Sequence, residues 1–406
     1  MTNGFLMRVA VLGAGVIGVT SAYFLSRAGH DVTVIEQGQH VAAGASAQNG
    51  GQLSYSYTDA LAGPALLKKL PGIVLGRDPA LNINPPLDMH WLRWSLGFLR
   101  QCTAAAHRQN TASVQQLALR SQALMEDLVE TTGITFDYRK AGKMVLLDSE
   151  KSCRNAEQSS AMKRDLGCEI ELISWQEARQ IDPALDAMTR PYAGVVFAQN
   201  DAVGDSQQFS RALANWLEEH SKTQFLLNTR VTAVGRDHDG KPVVHTTRGK
   251  HEADAIVVCL GSGCQQLEAV STVSAQIYPA RGYSVTLPPG ESPNTVSITD
   301  LSSKVVFSRL GERIRIAGFV DFVGNTRSRD SHRVRGLIGA AQRVAPKMAD
   351  YEAPEIEAWG GFRPMTANSR PLLYKDNDSG LVYNAGHGML GWTLACASGH
   401  EVAQLV

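Results

Sequence analysis

Apolar residues at the start of the chain follow the period of a strand, then of a helix, then of a second strand. This pattern predicts a short buried strand at residues 7–12, a helix at residues 16–28 and a strand at residues 31–36. Gly29 follows the helix, where a glycine commonly ends one. The order is that of a strand–helix–strand unit, the building block of a parallel sheet.

The same kind of pattern returns near the middle and the end of the chain. Asp205 or Ser206 can cap a helix with one apolar face, and a last helix is predicted from about Gly391. The strands that accompany these helices are predicted at residues 225–227, 231–234, 255–260 and 381–383. Rossmann-like sequence therefore occurs in three separated parts of the chain.

The intervening parts mix helices with strands in which apolar and polar residues partly alternate, as in antiparallel sheets. Helices are predicted around residues 91–99 and at residues 112–131. Strands are predicted at residues 143–147, 194–198, 278–287, 305–309 and 313–318.

These patterns predict an α/β protein with two domains. We expect a Rossmann-like domain built from residues 1–60, 199–270 and 355–406. Residues 61–198 and 271–354 are expected to form a second α+β domain, with a mixed sheet that binds the substrate.

Composition limits the function. The 406 residues include 39 basic and 39 acidic side chains, so the formal net charge is zero and no basic tract favours nucleic acid. The six cysteines show no Cys-x-x-Cys pair and no zinc-like spacing, which predicts reduced thiols in a cytoplasmic protein without a metal site.

The apolar stretch at residues 5–25 has the appearance of a signal peptide or membrane span. Its glycines, however, fall where a phosphate-binding turn requires them, and Glu36 follows at a strand end. We therefore interpret the stretch as part of the fold. Elsewhere the chain has no run of 18 apolar residues, so we expect no transmembrane helix.

Residues 13–18 match the dinucleotide-binding pattern G-x-G-x-x-G, between a predicted strand and a predicted helix. Gly13 makes the tight turn, Gly15 lets backbone amides approach a pyrophosphate, and Gly18 lets helix and strand pack closely. The helix N-terminus favours phosphate. Glu36 can accept hydrogen bonds from ribose hydroxyls and would repel a 2′-phosphate. Together these features predict a bound adenine dinucleotide.

The segment at residues 43–52 favours FAD over NAD. It is small, polar and rich in glycine, so its backbone can run along a long flavin nucleotide.

With these residues assembled, the chain resembles the D-amino-acid dehydrogenase branch, of the small-subunit type, in the glycine oxidase/D-amino-acid oxidase superfamily. The resemblance covers nearly the whole chain. The segments that carry it are residues 13–18 with Glu36, 45–52, 200–201, 204–205, 279–284, 361–366 and, most specifically, Gly386 to Thr393. Ala202 and Val203 depart from the family's pattern. It implies an FAD-dependent oxidoreductase.

Arg363 is the candidate for binding the carboxylate of an amino-acid substrate. A planar guanidinium can hold both oxygens and so fix orientation as well as position. The resemblance implies the same role, since the arginine of the family's Gly-x-Arg-Pro segment binds carboxylate.

The resemblance also implies that the turn at residues 386–393 and the start of the last helix lie beside the flavin ring. Helix amides there would stabilise the negative charge that develops on reduction. His387 is a candidate catalytic base, although a role in positioning the backbone is favoured. Tyr283, Tyr55 and Tyr57 are candidates for the pocket wall or for plain packing.

The predicted cofactor-binding residues are Gly13, Gly15, Val16, Ile17, Gly18, Glu36, Gln37, Ala45, Ser46, Asn49, Gly50, Gly51, Gln52, Val231, Gly261, Gly386, His387, Gly388, Leu390, Gly391, Trp392 and Thr393. The resemblance implies that Val231 holds the adenine through its backbone.

The sequence thus predicts FAD-dependent oxidation of D-amino acids or proline-like imino acids to 2-oxo acids, with electrons passed to an acceptor such as a quinone. A glycine or sarcosine oxidase that makes hydrogen peroxide, and a flavin-binding subunit without turnover, remain alternatives. Residues 61–102 are rich in leucine, tryptophan and basic residues such as Lys68 and Lys69. This segment is either an ordinary packed subdomain or a peripheral contact with the cytoplasmic membrane face.

Overall fold

A computed structural model of the protein describes residues 6–74, 78–324 and 330–406. Residues 1–5, which begin the first predicted FAD-binding segment, and the side chains of Lys68 and Lys69 lie outside the described part. The described helices are α1 Val16–Arg27, α2 Pro64–Val74, α3 Met89–Gln101, α4 Ala104–Thr132, α5 Glu150–Asp165, α6 Trp175–Ile181, α7 Ser206–His220, α8 Ser271–Ser274, α9 Asp330–Val344 and α10 Gly391–Ala403.

The described strands follow the same chain order. They are β1 Arg8–Leu12, β2 Asp31–Ile35, β3 Gln52–Leu53, β4 Leu81–Ile83, β5 Lys143–Leu147, β6 Ile170–Ile173, β7 Gly194–Ala198, β8 Ala202–Val203, β9 Gln224–Leu226, β10 Val231–Arg236, β11 Pro242–Thr246, β12 Gly249–Glu252, β13 Ala255–Val258, β14 Ile277–Leu287, β15 Ser297–Asp300, β16 Val305–Leu310, β17 Arg313–Phe322, β18 Glu357–Thr366, β19 Leu372–Lys375 and β20 Val382–Ala385.

The Rossmann sheet has the strand order β19-β20-β13-β1-β2-β9. The pairs from β20 to β9 are parallel, and β19 is antiparallel to β20. Val11 of the central strand lies opposite Val257 on one side and Val34 on the other. Such apolar strands suit a sheet that is buried on both faces. Three distant parts of the chain therefore build one sheet, which confirms the predicted fold class.

The mixed sheet has the order β18-β14-β17-β16-β15-β5-β7-β6, and β4 also pairs with β17. Strands β14, β17 and β16 are antiparallel neighbours, as their alternating sequence predicts. A separate antiparallel meander, β10-β11-β12, follows the Rossmann strand β9.

Strand β18 was missed by the sequence pattern. It pairs with β14 along its length, with Ala280 opposite Arg363. Two glycines and Pro364 hide its strand character, but it lies at the end of the sheet order, where proline is tolerated. Its pairing places residues 357–366 in the mixed sheet, although the sequence assigns residues 355–406 to the Rossmann-like domain. The division into domains itself stays a prediction.

Helix α10 fixes the position of the turn before it. Nine of its thirteen residues are buried, and it packs against α1 and α4. A Cβ atom at Gly399 would lie 2.9 Å from the backbone of Thr20 in α1, so the two helices approach closely because this position is glycine. Helix α4 starts at Ala104, earlier than the predicted residue 112, because Thr103 caps it by accepting from the Ala106 amide.

Candidate active site

A continuous cavity of about 1920 Å³ is lined by residues of both large sheets. The predicted cofactor-binding residues line it, except Gly18, Gly51 and Gly386, and so do Arg363 and Tyr283. The cavity is larger than the roughly 300–1,000 Å³ that suits a drug-sized ligand. Its size fits a dinucleotide together with a small substrate.

The turn between β1 and α1 requires glycine at two positions. Gly13 has a φ of +98°, and a Cβ atom there would lie 2.8 Å from the Cys259 carbonyl oxygen. A Cβ atom at Gly18 would lie 1.8 Å from the Gly13 carbonyl oxygen. Gly18 therefore faces the turn rather than the cavity, which agrees with its expected role in close packing.

The N-terminus of α1 faces the cavity beside the loop that follows Glu36. Gly15 occupies the N-cap position and has no side chain to cap the helix, so the first amides of α1 depend on other partners. Ser46 Oγ accepts from the Val16 amide at 3.0 Å, and the Ser46 carbonyl accepts from Ser206 Oγ at 2.7 Å. These contacts hold the small polar loop against a helix end that favours phosphate.

Glu36 lies at the end of β2 with both carboxylate oxygens on backbone amides. Its Oε2 accepts from the Ala14 amide and its Oε1 from the Gly38 amide, each at 2.8 Å. A carboxylate has about four acceptor sites, so Glu36 can also accept from a ribose. Val231, at the start of β10, lines the same end of the cavity.

The loop at residues 48–52 crosses the strands of the mixed sheet. Ser284 Oγ donates to the Gln48 carbonyl at 2.6 Å, and Arg315 donates to the Asn49 carbonyl at 3.0 Å. Gly51 has a φ of +70° and faces Leu310 rather than the cavity. The loop is thus fixed to the mixed sheet, with Asn49, Gly50 and Gln52 on the cavity side.

The turn before α10 depends on its glycines as well. Gly386 has a φ of +74°, and a Cβ atom there would lie 2.6 Å from Thr366, so this residue serves the turn and does not reach the cavity. Gly388, with a φ of +57°, donates its amide to the Pro364 carbonyl at 2.9 Å. The first-turn amides of α10 have no intrahelical acceptor and can stabilise negative charge in the cavity.

His387 lies in this turn and is 4% exposed. Burial lowers its pKa to about 3, so the ring is neutral at physiological pH. Its Nε2 has no hydrogen-bond partner among the described residues. A group with such a low pKa does not hold a proton near neutral pH, which supports a positioning role over that of a base.

Arg363 reaches the cavity from the terminal strand β18. It makes no hydrogen bond or ion pair with any residue in the described parts of the chain, and burial lowers its pKa to about 10, so it remains charged. Its guanidinium rests on Gly282 of the adjacent strand, where a Cβ atom would lie 2.6 Å from Cζ. Glycine at position 282 therefore makes the space for this side chain.

A second arginine of the cavity wall is already neutralised. Arg281 is ion-paired with Asp330 and donates to its Oδ1 at 2.7 Å. Tyr283 donates to Asp321 at 2.9 Å, and Asp321 also pairs with Arg333 at 2.6 Å. Burial and the Asp321 charge raise the pKa of Tyr283, which therefore stays a protonated donor. Of these groups, Arg363 is the one available to an incoming carboxylate.

Tyr55 and Tyr57, which follow the predicted flavin loop, differ in whether they line the cavity. Tyr55 is fully buried in the core around α1 and α10 and does not line the cavity, whereas Tyr57 does. The sequence reasoning also missed Lys143, a buried cavity residue at the start of β5, and Gly282. Lys143 could have been noticed as a lysine that begins an apolar strand. The role of Gly282 depends on a contact between strands, which the sequence does not show.

One arm of the cavity is apolar. It is lined by Trp91, Trp94 and Phe98 of α3, and by Phe322 of β17. Trp94 donates its indole N–H to the Met365 carbonyl at 2.9 Å, two residues beyond Arg363. The carboxylate-binding candidate therefore lies next to a surface that accepts apolar groups.

The lining of the cavity fits FAD. Gly13, which tolerates no Cβ atom, two helix N-termini and the Glu36 carboxylate, the candidate for the ribose, all border the same cavity. Among the described residues, no group of three or more His, Cys, Asp or Glu side chains could hold a metal ion. In the same part of the chain, no helix is both long and apolar enough to cross a bilayer.

Sequence comparison gives the same class of protein. The DAO family, described as FAD dependent oxidoreductase, matches residues 8–405. The chain belongs to this family and is an FAD-dependent oxidoreductase, which confirms the family resemblance, the enzyme class and the cofactor.

The individual relatives are more specific. D-amino acid dehydrogenase of Rhizorhabdus wittichii is 33% identical over 403 residues, which cover 98% of this chain and 96% of that protein. D-amino acid dehydrogenase 2 of Ralstonia nicotianae is also 33% identical, over 409 residues, with the same coverage. The solved structure of glycine oxidase from Geobacillus kaustophilus has a TM-score of 0.76 at 23% identity, covering 98% and 94% of the two chains. This last likeness concerns the fold alone.

Proposed function

We propose that the protein oxidises D-amino acids, including proline-like imino acids, and passes the electrons to an acceptor other than oxygen. The observation that carries this proposal is Arg363, a charged guanidinium that faces the flavin cavity without a partner in the described structure. The relatives named D-amino acid dehydrogenase supply the enantiomer and the acceptor class.

In the proposed reaction, Arg363 holds the substrate carboxylate and the apolar arm accepts the side chain, which together fix the Cα–H bond. FAD, held by the residues of the cavity, would supply the acceptor for a hydride from Cα. The amides at the start of α10 stabilise the negative charge that results. A substrate amine that is neutral when bound needs no protein base, which fits the low pKa of His387. Water then converts the imine to a 2-oxo acid and ammonia, or a cyclic imine is released.

The test is turnover with paired enantiomers. We expect D-amino acids, and not their L-enantiomers, to reduce an artificial dye under nitrogen and to yield the 2-oxo acid. Little hydrogen peroxide should form in air. Equal peroxide and product, above all with glycine or sarcosine, would instead make the protein an oxidase. No turnover with any amino acid would favour a non-catalytic flavin-binding subunit.

We further propose that the acceptor is a quinone reached at a membrane surface. Helix α3 is apolar on two faces: Trp91, Trp94 and Phe98 point into the cavity, while leucines on the opposite face are exposed. The exposed apolar residues at this helix are Leu87, Met89, Leu92, Leu96 and Leu99. Arg93 and Arg100 are exposed beside them, as on helices that lie at anionic membrane surfaces.

Vesicle flotation tests this contact. We expect the holoprotein to float with vesicles that contain anionic lipid, and the double variant Leu92→Ser/Leu96→Ser to remain unbound. The matched control, Ile181→Ser/Ile356→Ser, removes two similarly exposed residues outside α3. A wild-type protein that never floats with the vesicles, or a control that loses binding equally, would contradict the proposed contact.

A further inference from the structure

Lys143 is a buried amine in the wall of the flavin cavity. It opens β5 and is 5% exposed. Its Nζ donates to Gln52 Oε1 at 3.1 Å and to Ser54 Oγ at 2.8 Å, and it lies 4.9 Å from the centre of the Tyr57 ring. Neutral groups therefore hold the ammonium in place.

A neighbouring lysine has an ion-pair partner, whereas Lys143 has none among the described residues. Lys163 stacks on the same Tyr57 ring at 4.4 Å, but its Nζ forms an ion pair with Asp59 at 2.5 Å. Within the described residues, no carboxylate lies within 4 Å of the Lys143 ammonium. Its charge is therefore not neutralised by direct contact, and a buried charge of this kind responds strongly to new charge nearby.

Two contacts connect Lys143 to the part of the cavity where negative charge is expected. Gln52 belongs to the loop predicted to run along the flavin. The Ser54 amide donates to Thr393 Oγ1 at 3.0 Å, and Thr393 lies in the first turn of α10. Lys143 thus supports the same wall as the free amides of that helix.

The surroundings of Lys143 bring its pKa closer to neutral pH than that of a free lysine. Burial lowers its pKa to about 8, while Asp201 and Asp59 favour its charged form and Lys163 opposes it. Burial raises the pKa of Asp201 itself to about 6, and Tyr57 stays protonated because burial raises its pKa. Negative charge arriving in the cavity would raise the pKa of Lys143 further.

We propose that Lys143 is a redox-linked proton site of the flavin cavity. Above about pH 8, where Lys143 is a neutral amine in the oxidised protein, it binds one proton from solvent when two electrons reach the cofactor, and it returns that proton when the electrons leave. The N–H bond forms on the Nζ lone pair, and no covalent bond of the protein breaks. The inference rests on the proposed function in requiring a flavin that cycles between oxidised and reduced forms, but it does not depend on which substrate reduces it.

The test measures the two-electron reduction potential of the holoprotein from pH 6 to 10, with dithionite and reference dyes and no amino acid. Above about pH 8 the amine is neutral in the oxidised protein and protonated in the reduced protein. Above this pH, the reduction potential should therefore fall by about 30 mV more per pH unit than it does below it. This extra slope is a tenfold change per pH unit in the equilibrium between oxidised and reduced protein. A wild-type curve without this extra slope overturns the proposal, whichever variants fold.

Two variants separate proton exchange from charge. Lys143→Met should lose the extra slope and, at pH 7, should weaken the reduced form at least tenfold relative to the oxidised form. Lys143→Arg should also lose the slope, since arginine does not titrate in this range, but should keep the potential of the wild type at pH 7. If either variant does not fold, the other decides.

Lys304→Met is the matched control. It removes a lysine from the wall of the same cavity, but one that is paired with Asp78 and partly exposed, so potential and slope should stay as in the wild type. An extra slope that persists in Lys143→Met, or that disappears equally in Lys304→Met, overturns the proposal. Because no amino acid is added, this result is independent of whether D-amino acids are the substrates.

Discussion

At the scale of single residues, the site depends on one unpaired guanidinium and on the space made for it. Arg363 rests on Gly282, while Arg281, the residue next to Gly282 on β14, is bound to Asp330. An arginine that is already paired cannot bind a substrate carboxylate without losing its partner. We therefore propose different roles for the two arginines of neighbouring strands: Arg363 binds the substrate, and Arg281 supports the cavity wall.

Replacing Arg363 by alanine should abolish most turnover without releasing FAD. Two charged hydrogen bonds at about 1.5–3 kcal/mol each correspond to a fall in kcat/KM of roughly 10²- to 10⁴-fold. Steady-state dye reduction and the flavin absorbance spectrum measure the two effects. Arg211→Ala, which removes an exposed arginine of α7, is the control and should behave as the wild type. Near-normal turnover in Arg363→Ala would remove this residue from the role.

The substitution Gly282→Ala should have a related effect, because its Cβ atom would displace the Arg363 guanidinium. We expect KM for the amino acid to rise at least tenfold, with FAD still bound. Gly235→Ala is the control, since a Cβ atom at this exposed position on β10 meets no atom within 4 Å. Unchanged kinetics in Gly282→Ala would show that the arginine needs no such space.

His387 should make stability depend on pH. Its folded pKa of about 3 lies below the unfolded value of 6.5, so the unfolded chain binds a proton that the folded chain does not. This stability is complete above pH 6.5 and is lost toward pH 3, at up to about 1.4 kcal/mol per unit. Urea unfolding between pH 4.5 and 7.5 should show a shallower loss in His387→Gln. Parallel curves for the two proteins would contradict the assignment.

The residues that sequence could predict are those fixed by local motifs. Gly13 and Glu36 follow from spacing along one strand–helix–strand unit, and Arg363 from a short segment. Lys143 and Gly282 could not be predicted in the same way, because their roles arise from contacts with segments distant in sequence. Tyr55 and Tyr57 differ by two positions, and the side of the chain that each faces was not readable from the sequence.

At the scale of elements, α1 and α10 bring both ends of the cofactor site together. The first opens at the glycine turn after β1 and the second at the turn of residues 386–390, and they meet where Gly399 approaches Thr20. Because both helices are buried, their relative position is set by close packing rather than by loops.

Gly399→Ala should therefore disturb the site from a distance. The added methyl group would lie 2.9 Å from the Thr20 backbone, and overpacking of this kind costs about 1–3 kcal/mol. We expect lower unfolding free energy and weaker FAD binding, measured by urea unfolding and by flavin fluorescence. Gly235→Ala should leave both quantities unchanged. Wild-type values in Gly399→Ala would contradict the proposed coupling between the helices.

Elements with strong periodicity were predicted well, and those with mixed signals were not. The strands β1, β2, β14 and β17 carry uninterrupted or alternating apolar residues. The glycines and proline of β18 break that pattern, so the strand that carries Arg363 is visible only through its pairing with β14. In that case the pairing with a neighbouring strand outweighs local propensity.

At the scale of the whole molecule, the active site exists only in the assembled fold. Glu36 and the loop at residues 48–52 lie more than 300 residues before Arg363 and the turn that precedes α10, yet all four border one cavity. Ligand that binds only the folded chain stabilises it by mass action, by about 2.7 kcal/mol at a hundred times its Kd. FAD is therefore expected to be part of the stability of this protein as well as of its chemistry.

The most direct measurement is the absorbance of the bound flavin near 450 nm under nitrogen, after addition of paired D- and L-amino acids. We expect D-amino acids to bleach this band in the wild-type protein, L-enantiomers to leave it unchanged, and Arg363→Ala to remain yellow with both. A wild-type flavin that no D-amino acid bleaches, or an Arg363→Ala variant that bleaches as fast as the wild type, would contradict the account.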